Sequence, residues 1–151
     1  NYRALKKFSD APRPDTPFEL GMTGGLFGVE FTIIGALGVE ERWGGDRWAW
    51  VEHQIYSPTH GYAWLNYEDN GHLTFSRKVR SAPSPAFVTQ HKINSLENRP
   101  SASFERRSYS YYDSGNRAIT FAEGEFHWTP VKGERSSTVS FADGDQMLTY
   151  V

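Results

Sequence analysis

Hydrophobic and polar positions alternate with a period of two along most of this chain. No run of ten or more residues carries the three-to-four spacing of an amphipathic helix. The strongest run is Trp48-Ala-Trp-Val-Glu-His-Gln-Ile-Tyr56, followed across Ser57-Pro-Thr-His60 by Gly61-Tyr-Ala-Trp-Leu-Asn-Tyr67. Both have the aromatic and β-branched make-up of strands, and the spacer has the composition of a turn. A third run, residues 72–79, follows across Asn70-Gly71, a strong two-residue hairpin signal. The three runs predict an antiparallel meander that supplies much of the core. A two-residue loop at Asn70-Gly71 sets Asn66 opposite Phe75 and Trp64 opposite Arg77. The expected core face then carries Tyr62, Trp64, Leu73, Phe75 and Val79, with Arg77 closing its end over the Trp64 ring.

The remaining elements follow from the same patterning. Residues 1–17 are basic and then proline-rich, and read as a linker or the end of a preceding segment. Residues 18–22 open the domain, Thr23-Gly-Gly25 is an expected turn, and residues 28–38 form a strand whose glycines predict sharp curvature or a bulge. Residues 40–46 are a second expected turn. Beyond the meander, 81–85 and 94–102 are expected loops, with a strand at 87–93 between them. Further strands are expected at 104–112, 117–122, 125–131, 134–141 and from 146. Their expected turns are Asp113-Ser-Gly-Asn116, Lys132-Gly133 and Ala142-Asp-Gly-Asp145. Nine or ten short strands with turns every 8–12 residues or so predict an all-β fold. The expected architecture is an antiparallel meander forming a closed or partly closed barrel, with a two-sheet β-sandwich as the alternative. Residues 18–151 are expected to be one domain, whose last strand is still in progress at Val151.

Composition narrows the classes. The chain has 151 residues, enough for a real core, and its 15% aromatic content supplies bulk that its aliphatic residues do not. No apolar run approaches the ~18 residues of a membrane-spanning helix. Sixteen Lys and Arg stand against eighteen Asp and Glu, a net charge of −2, so a broad phosphate-binding surface is not expected. The absence of cysteine excludes disulfides, thiolate metal sites and a cysteine nucleophile.

Catalytic chemistry is sparse. His53, His60, His72, His91 and His127 lack the close spacing of a metal site, so no metal and no cofactor is expected. His53 and His127 read as strand residues directed at a carboxylate or water. Glu123 and Glu125 share a strand face about 7 Å apart, inside the range of a glycosidase pair, with Glu134 nearby. Gly124 between them, however, reads as a turn beside exposed glutamates. Phosphate loops, dinucleotide fingerprints and nucleophile elbows are absent. Glu52 is the unusual residue: it stands mid-strand in phase with Trp48 and Trp50, where a buried carboxylate needs a partner. It is expected to be a paired structural group, the alternative being a ligand anchor.

Gly35, Trp50-x-Glu52-His-x-Ile55, Trp64-Leu65, Gly124-Glu-Phe-x-Trp128 and Gly133-Glu134, in this order, resemble a bacterial family of uncharacterised domains catalogued as domain of unknown function four-one-seven-eight. The similarity spans roughly Phe18 to Tyr150. It implies a bacterial, β-rich domain whose members continue past the position of Tyr150, and it assigns no catalytic residue. The expected function is therefore a non-catalytic binding or interaction module in the bacterial cytoplasm, with a protein or small ligand as partner. A barrel holding a small or lipidic ligand, with or without enzymatic activity, is the alternative, and single-stranded nucleic-acid binding the second. The candidate ligand-binding residues are Trp48, Trp50, Glu52, Trp64 and Arg77; none is assigned a catalytic role.

Overall fold

The computed structural model describes residues 11–94, 100–126 and 128–151. The chain is all-β and antiparallel, as the alternation predicts. Its elements are β1 (Thr23–Leu26), β2 (Val29–Trp43), β3 (Asp46–Ser57), β4 (Gly61–Glu68), β5 (Leu73–Ser76), the short helix α1 (Gln90–Asn94), β6 (Ser101–Phe104), β7 (Arg107–Gly124), β8 (Arg135–Asp143) and β9 (Gln146–Tyr150). The strands hydrogen-bond in the order β5-β4-β3-β2-β7-β8-β9, with β1 also on β2 and β6 also on β7. The path has two ends, so the sheet does not close on itself.

Two-residue loops make four of the hairpins, one of them across Gly144-Asp145, where Asp143 pairs with Gln146. Leu26 pairs with Val29 across Phe27-Gly28, both with positive φ (52° and 76°), so the first turn lies there and Thr23-Gly-Gly25 is strand. Trp43 pairs with Asp46 across Gly44-Gly45 (φ 58° and 87°). The expected turn over 40–46 is thus only two residues wide, and the strands run on to either side of it. Phe104 pairs with Arg107 across Glu105-Arg106, which also adopt positive φ although neither is a usual turn former.

The Asn70-Gly71 hairpin departs from its expected register by one residue. The Glu68 N–H donates to the His72 carbonyl and the Gly71 N–H to the Glu68 carbonyl, so the loop holds three residues. Gly71 takes the left-handed conformation alone, and the Asn70 side chain accepts the His72 N–H at 2.9 Å instead of entering a two-residue turn. Leu65 therefore faces Phe75, and Trp64 faces Ser76 rather than Arg77. A slip of one residue turns a strand over. The core face of β4 is accordingly Ala63 and Leu65, joined by Phe75, while Tyr62 is exposed and Trp64 points the other way.

Three other expectations are corrected. Residues 87–93 do not form a strand. Thr89 caps a helical turn, its hydroxyl accepting the Lys92 N–H, and α1 buries Ile93. Asp113-Ser-Gly-Asn116 does not turn but lies within the 18-residue β7. Its polar groups are taken up sideways: Asn116 accepts from the Ser137 hydroxyl, and the Gly115 carbonyl accepts from Gln90. Residues 125–131 do not form a strand among the described residues; the ladder stops one step past Gly124, where the Glu125 N–H donates to the Ile34 carbonyl at 2.7 Å.

The chain divides into two compact units. One comprises Asn1–Lys78 and Ala118–Arg135, and its sheet buries residues on both faces. On one face Phe31, Ile33, Ile55, Ala63 and Leu65 pack with Phe18, Leu26 and Phe75. On the other, Leu37, Val39 and Ala122 pack with Trp50, Trp64, Phe126 and Trp128. The second unit, Val79–Arg117 with Ser136–Val151, centres on Phe141 with Ile93, Ala102, Tyr109, Val139 and Leu148.

Candidate functional site

Strand alternation and the observed register together sort the side chains of the first unit by face. Val39 pairs with Trp50, Glu41 with Trp48 and Trp43 with Asp46, while Glu52 pairs with Asn66, Gln54 with Trp64 and Tyr56 with Tyr62. Trp43, Trp48, Trp50 and Trp64 therefore share one face with Tyr56 and Tyr62. Trp128 reaches the same place from a different stretch of chain, its ring centre 5.8 Å from that of Trp64. All five tryptophans of the sequence belong to this face.

Two glycines let the 124–128 segment come down onto it. Gly124 has φ +86°, and a β-carbon there would stand 2.2 Å from the Ile34 carbonyl oxygen. A β-carbon on Gly35 would stand 2.6 Å from the Glu125 carbonyl oxygen and 2.9 Å from the Phe126 ring. Between them β2 bulges, its register with β3 shifting from Ile33 to Gly35, as the glycine-rich stretch predicts. With no side chain in the way, Phe126 stacks on Trp64 at 6.3 Å and 19° between planes. Phe126 and Trp128 lie 5.4 Å apart at 55°. The close approach of backbone to backbone is what creates this aromatic cluster.

Glu52 lies in the half-covered part of the face, 6% exposed, and accepts a hydrogen bond from the Trp50 indole N–H at 3.0 Å. The Trp50 indole is thus one partner of this carboxylate. Asn66, directly across from it, buries a side-chain oxygen that has no hydrogen-bond partner. The other candidates divide. Trp50 and Trp64 are half-buried, while Trp48 is 50% exposed and Trp43, which the sequence reading passed over, is 73% exposed. Arg77 is exposed and lies beyond the end of β5. Trp43 was legible in principle: reading Gly44-Gly45 as a tight loop puts it in phase with Trp48. Nothing local in the sequence joins Phe126 and Trp128 to this face.

On the opposite face, Thr16 and Phe18 pack against the sheet. His53, fully buried, donates from Nδ1 to the Leu65 carbonyl at 2.9 Å, which fixes Nε2 as acceptor of the Thr16 hydroxyl at 2.9 Å. Neither a carboxylate nor water is its partner, in contrast to the sequence reading. Burial lowers the pKa of His53, a nearby Arg13 adds to the effect, and the Leu65 hydrogen bond and Glu123 oppose it. Arg13 pairs with Glu123 at 3.2 Å, so the described part of 1–17 is packed on the fold rather than free of it. Glu123 is thus engaged, Glu125 is exposed and Glu134 accepts the Val131 N–H at 3.2 Å. Among the described residues no three His, Asp or Glu side chains gather as metal ligands. His127 lies outside them.

In the second unit a half-open groove of about 420 Å³ is lined by Ser84, Pro85, Phe87, Val88, Ile93 and Ala102 among others. No tryptophan lines it.

These features define an all-β, antiparallel-sheet protein with its tryptophans gathered on one sheet face. Residues 19–150 match the family described as Domain of unknown function (DUF4178), and the chain belongs to that family. No curated protein and no solved structure matches it. No helix among the described residues is long and apolar enough to cross a membrane.

Proposed function

We propose that this protein is a non-catalytic interaction module whose contact surface is the exposed end of the tryptophan face. The carrying observation is the arm made by the ends of β2 and β3. β4 stops opposite Trp50, so residues 46–49 of β3 extend past it, and residues 42–49 are exposed. On this arm Trp43 and Trp48 present indoles to solvent from one side. Tryptophan is the residue type most enriched at binding hot spots, and exposed indoles side by side serve no core. Among the candidate residues other than Arg77, Trp48, with Trp43, makes contact under this reading, whereas Trp50, Glu52 and Trp64 hold the face in shape. The scarcity of catalytic groups supports the non-catalytic class, and the absence of tryptophan from the 420 Å³ groove weighs against a ligand cavity walled by indoles.

The test pairs stability with binding. Trp43→Ser/Trp48→Ser should melt as the wild type does, within ~0.5 kcal/mol. Peptides selected on the wild type from a random displayed library should fail to bind the double variant. Full binding by that variant, or a large loss of its stability, would remove the arm as the contact surface.

A further inference from the structure

We infer that the groove of the second unit is a docking site for an extended peptide, which adds to the free edge of β6 and sets an aliphatic side chain into the groove. The inference is independent of the tryptophan arm, which belongs to the other unit. It starts from the register of the β6–β7 hairpin. Phe104 and Arg107 close its two-residue loop and so exchange both backbone hydrogen bonds, and alternation makes Ala102 and Tyr109 the next such pair. The N–H and C=O groups of Ser101 and Ser103 therefore point away from β7. Ser103 uses both of its groups on Ser84, donating at 2.8 Å and accepting at 2.9 Å, in a single isolated bridge. One step further that partner is lost. The chain bends at Pro85-Ala86 and leaves β6, so among the described residues no strand faces Ser101 on this side. Its N–H and C=O open on the groove, which Ser101 lines.

The other walls suit a strand with an apolar side chain. Val88, Ile93 and Ala102 line the groove and belong to, or pack against, the core around Phe141. Phe87 lines it too and is 74% exposed. The stretch opposite β6 is pinned at both ends by bonds that do not involve β6. The Tyr150 hydroxyl donates to the Pro85 carbonyl at 2.7 Å, and the Gln90 amide donates to the carbonyls of Gly115 at 2.7 Å and Thr138 at 3.3 Å. The space of about 420 Å³ is therefore preformed and of the size of a ligand site. An acyl chain would fill it but leave both backbone groups of Ser101 unmatched. An extended peptide answers both demands, since its main chain donates and accepts at strand spacing. Side chains alternate, so the residue beside the one paired with Ser101 turns to the Ala102 side, among Val88 and Ile93. Valine, isoleucine or leucine fits there, because Lys92 is the one charged side chain among the described lining residues.

The probe is a blocked hexapeptide of alternating threonine and valine, titrated into the whole chain while its backbone amides are followed by NMR. The amides of Val88, Ile93, Ser101 and Ala102 should shift saturably. At saturation the Ser101 amide should exchange with solvent about tenfold more slowly or less, because it has gained a strand partner. The same peptide methylated on its threonine nitrogens lacks the donors that pair with Ser101 and should bind about tenfold or more weakly, with the protein itself unaltered. Phe87→Ser, at an exposed position, should melt as the wild type does and bind about threefold or more weakly. No saturable shift at the groove, or equal affinity for the methylated peptide or in Phe87→Ser, overturns the inference. Laurate shifting these amides where the peptide does not would make the groove a site for apolar ligands and overturn it as well. Peptide shifts confined to the Trp43 and Trp48 indoles would overturn it while leaving the arm as the contact surface.

Discussion

At the scale of single residues, His53 carries a pH dependence that can be read from its partners. Both ring nitrogens are used, one donating to Leu65 and one accepting from Thr16, and burial holds its pKa below the ordinary value of about 6.5. The unfolded chain therefore takes up a proton at His53 more readily than the folded one. Stability from this group is complete above the unfolded pKa and is lost as pH falls from about 7 through the folded value. Denaturant midpoints measured across that range should drop with pH in the wild type, and the slope should shrink in His53→Gln; equal slopes would remove His53 as the cause. Glu52 makes a second case. Glu52→Gln keeps an oxygen for the Trp50 indole and should cost less than ~1 kcal/mol, whereas Glu52→Ala leaves that donor buried without it and should cost about 1–3 kcal/mol. A midpoint for Glu52→Ala at or above wild type would show that the carboxylate does not stabilise the sheet. These two residues adjoin in sequence and point to opposite faces, which the period of two requires; which face would be open to solvent it left undecided.

At the scale of elements, the close approach of Gly124 to β2 matters most, because it carries Phe126 and Trp128 to the sheet. Gly124→Ala combines a left-handed backbone with a β-carbon 2.2 Å from a carbonyl oxygen, so neither rotamer nor small shift relieves it. The expected loss is at least ~2–4 kcal/mol. Gly44→Ala, also at positive φ but in open space, should cost only about 1–2 kcal/mol. Thermal melts of the two variants side by side test the ordering, and a similar loss in both would show that the approach to Ile34 is not tight. Amide exchange offers an independent check on the arm: Arg42, Arg47 and Ala49 should exchange fast, while Leu37, Val51 and Ile55 exchange slowest in their unit. The Gly28–Gly38 bulge was legible because glycine in a strand run has few other uses. What the second glycine was for was not, since Gly124 reads in isolation as an ordinary turn.

At the scale of the whole molecule, each compact unit has its own buried centre. Phe141 is fully buried in one and Leu37 nearly so in the other, so Phe141→Ala should cost roughly 3–5 kcal/mol and Leu37→Ala roughly 2–5 kcal/mol. Chemical denaturation of each variant measures this, and a loss below ~1 kcal/mol would show that the truncated site is not a core position. The class of fold was set by the sequence alone, because period-two patterning and glycine-rich turns act between near neighbours. Most strands fall within a few residues of where that patterning puts them. Registers and faces were decided elsewhere. One residue in the loop before His72 decided which face of β4 joins Phe75 in the core, and the polar stretch 113–116 stayed extended because Gln90 and Ser137 were there to satisfy it. The tryptophan face depended most on tertiary structure: Trp43 to Trp64 are neighbours in sequence, yet Trp128 joins them only through a backbone contact between Gly35 and Gly124. Local patterning records which residues prefer a strand. It holds no record of which distant backbone will come close enough to need a glycine.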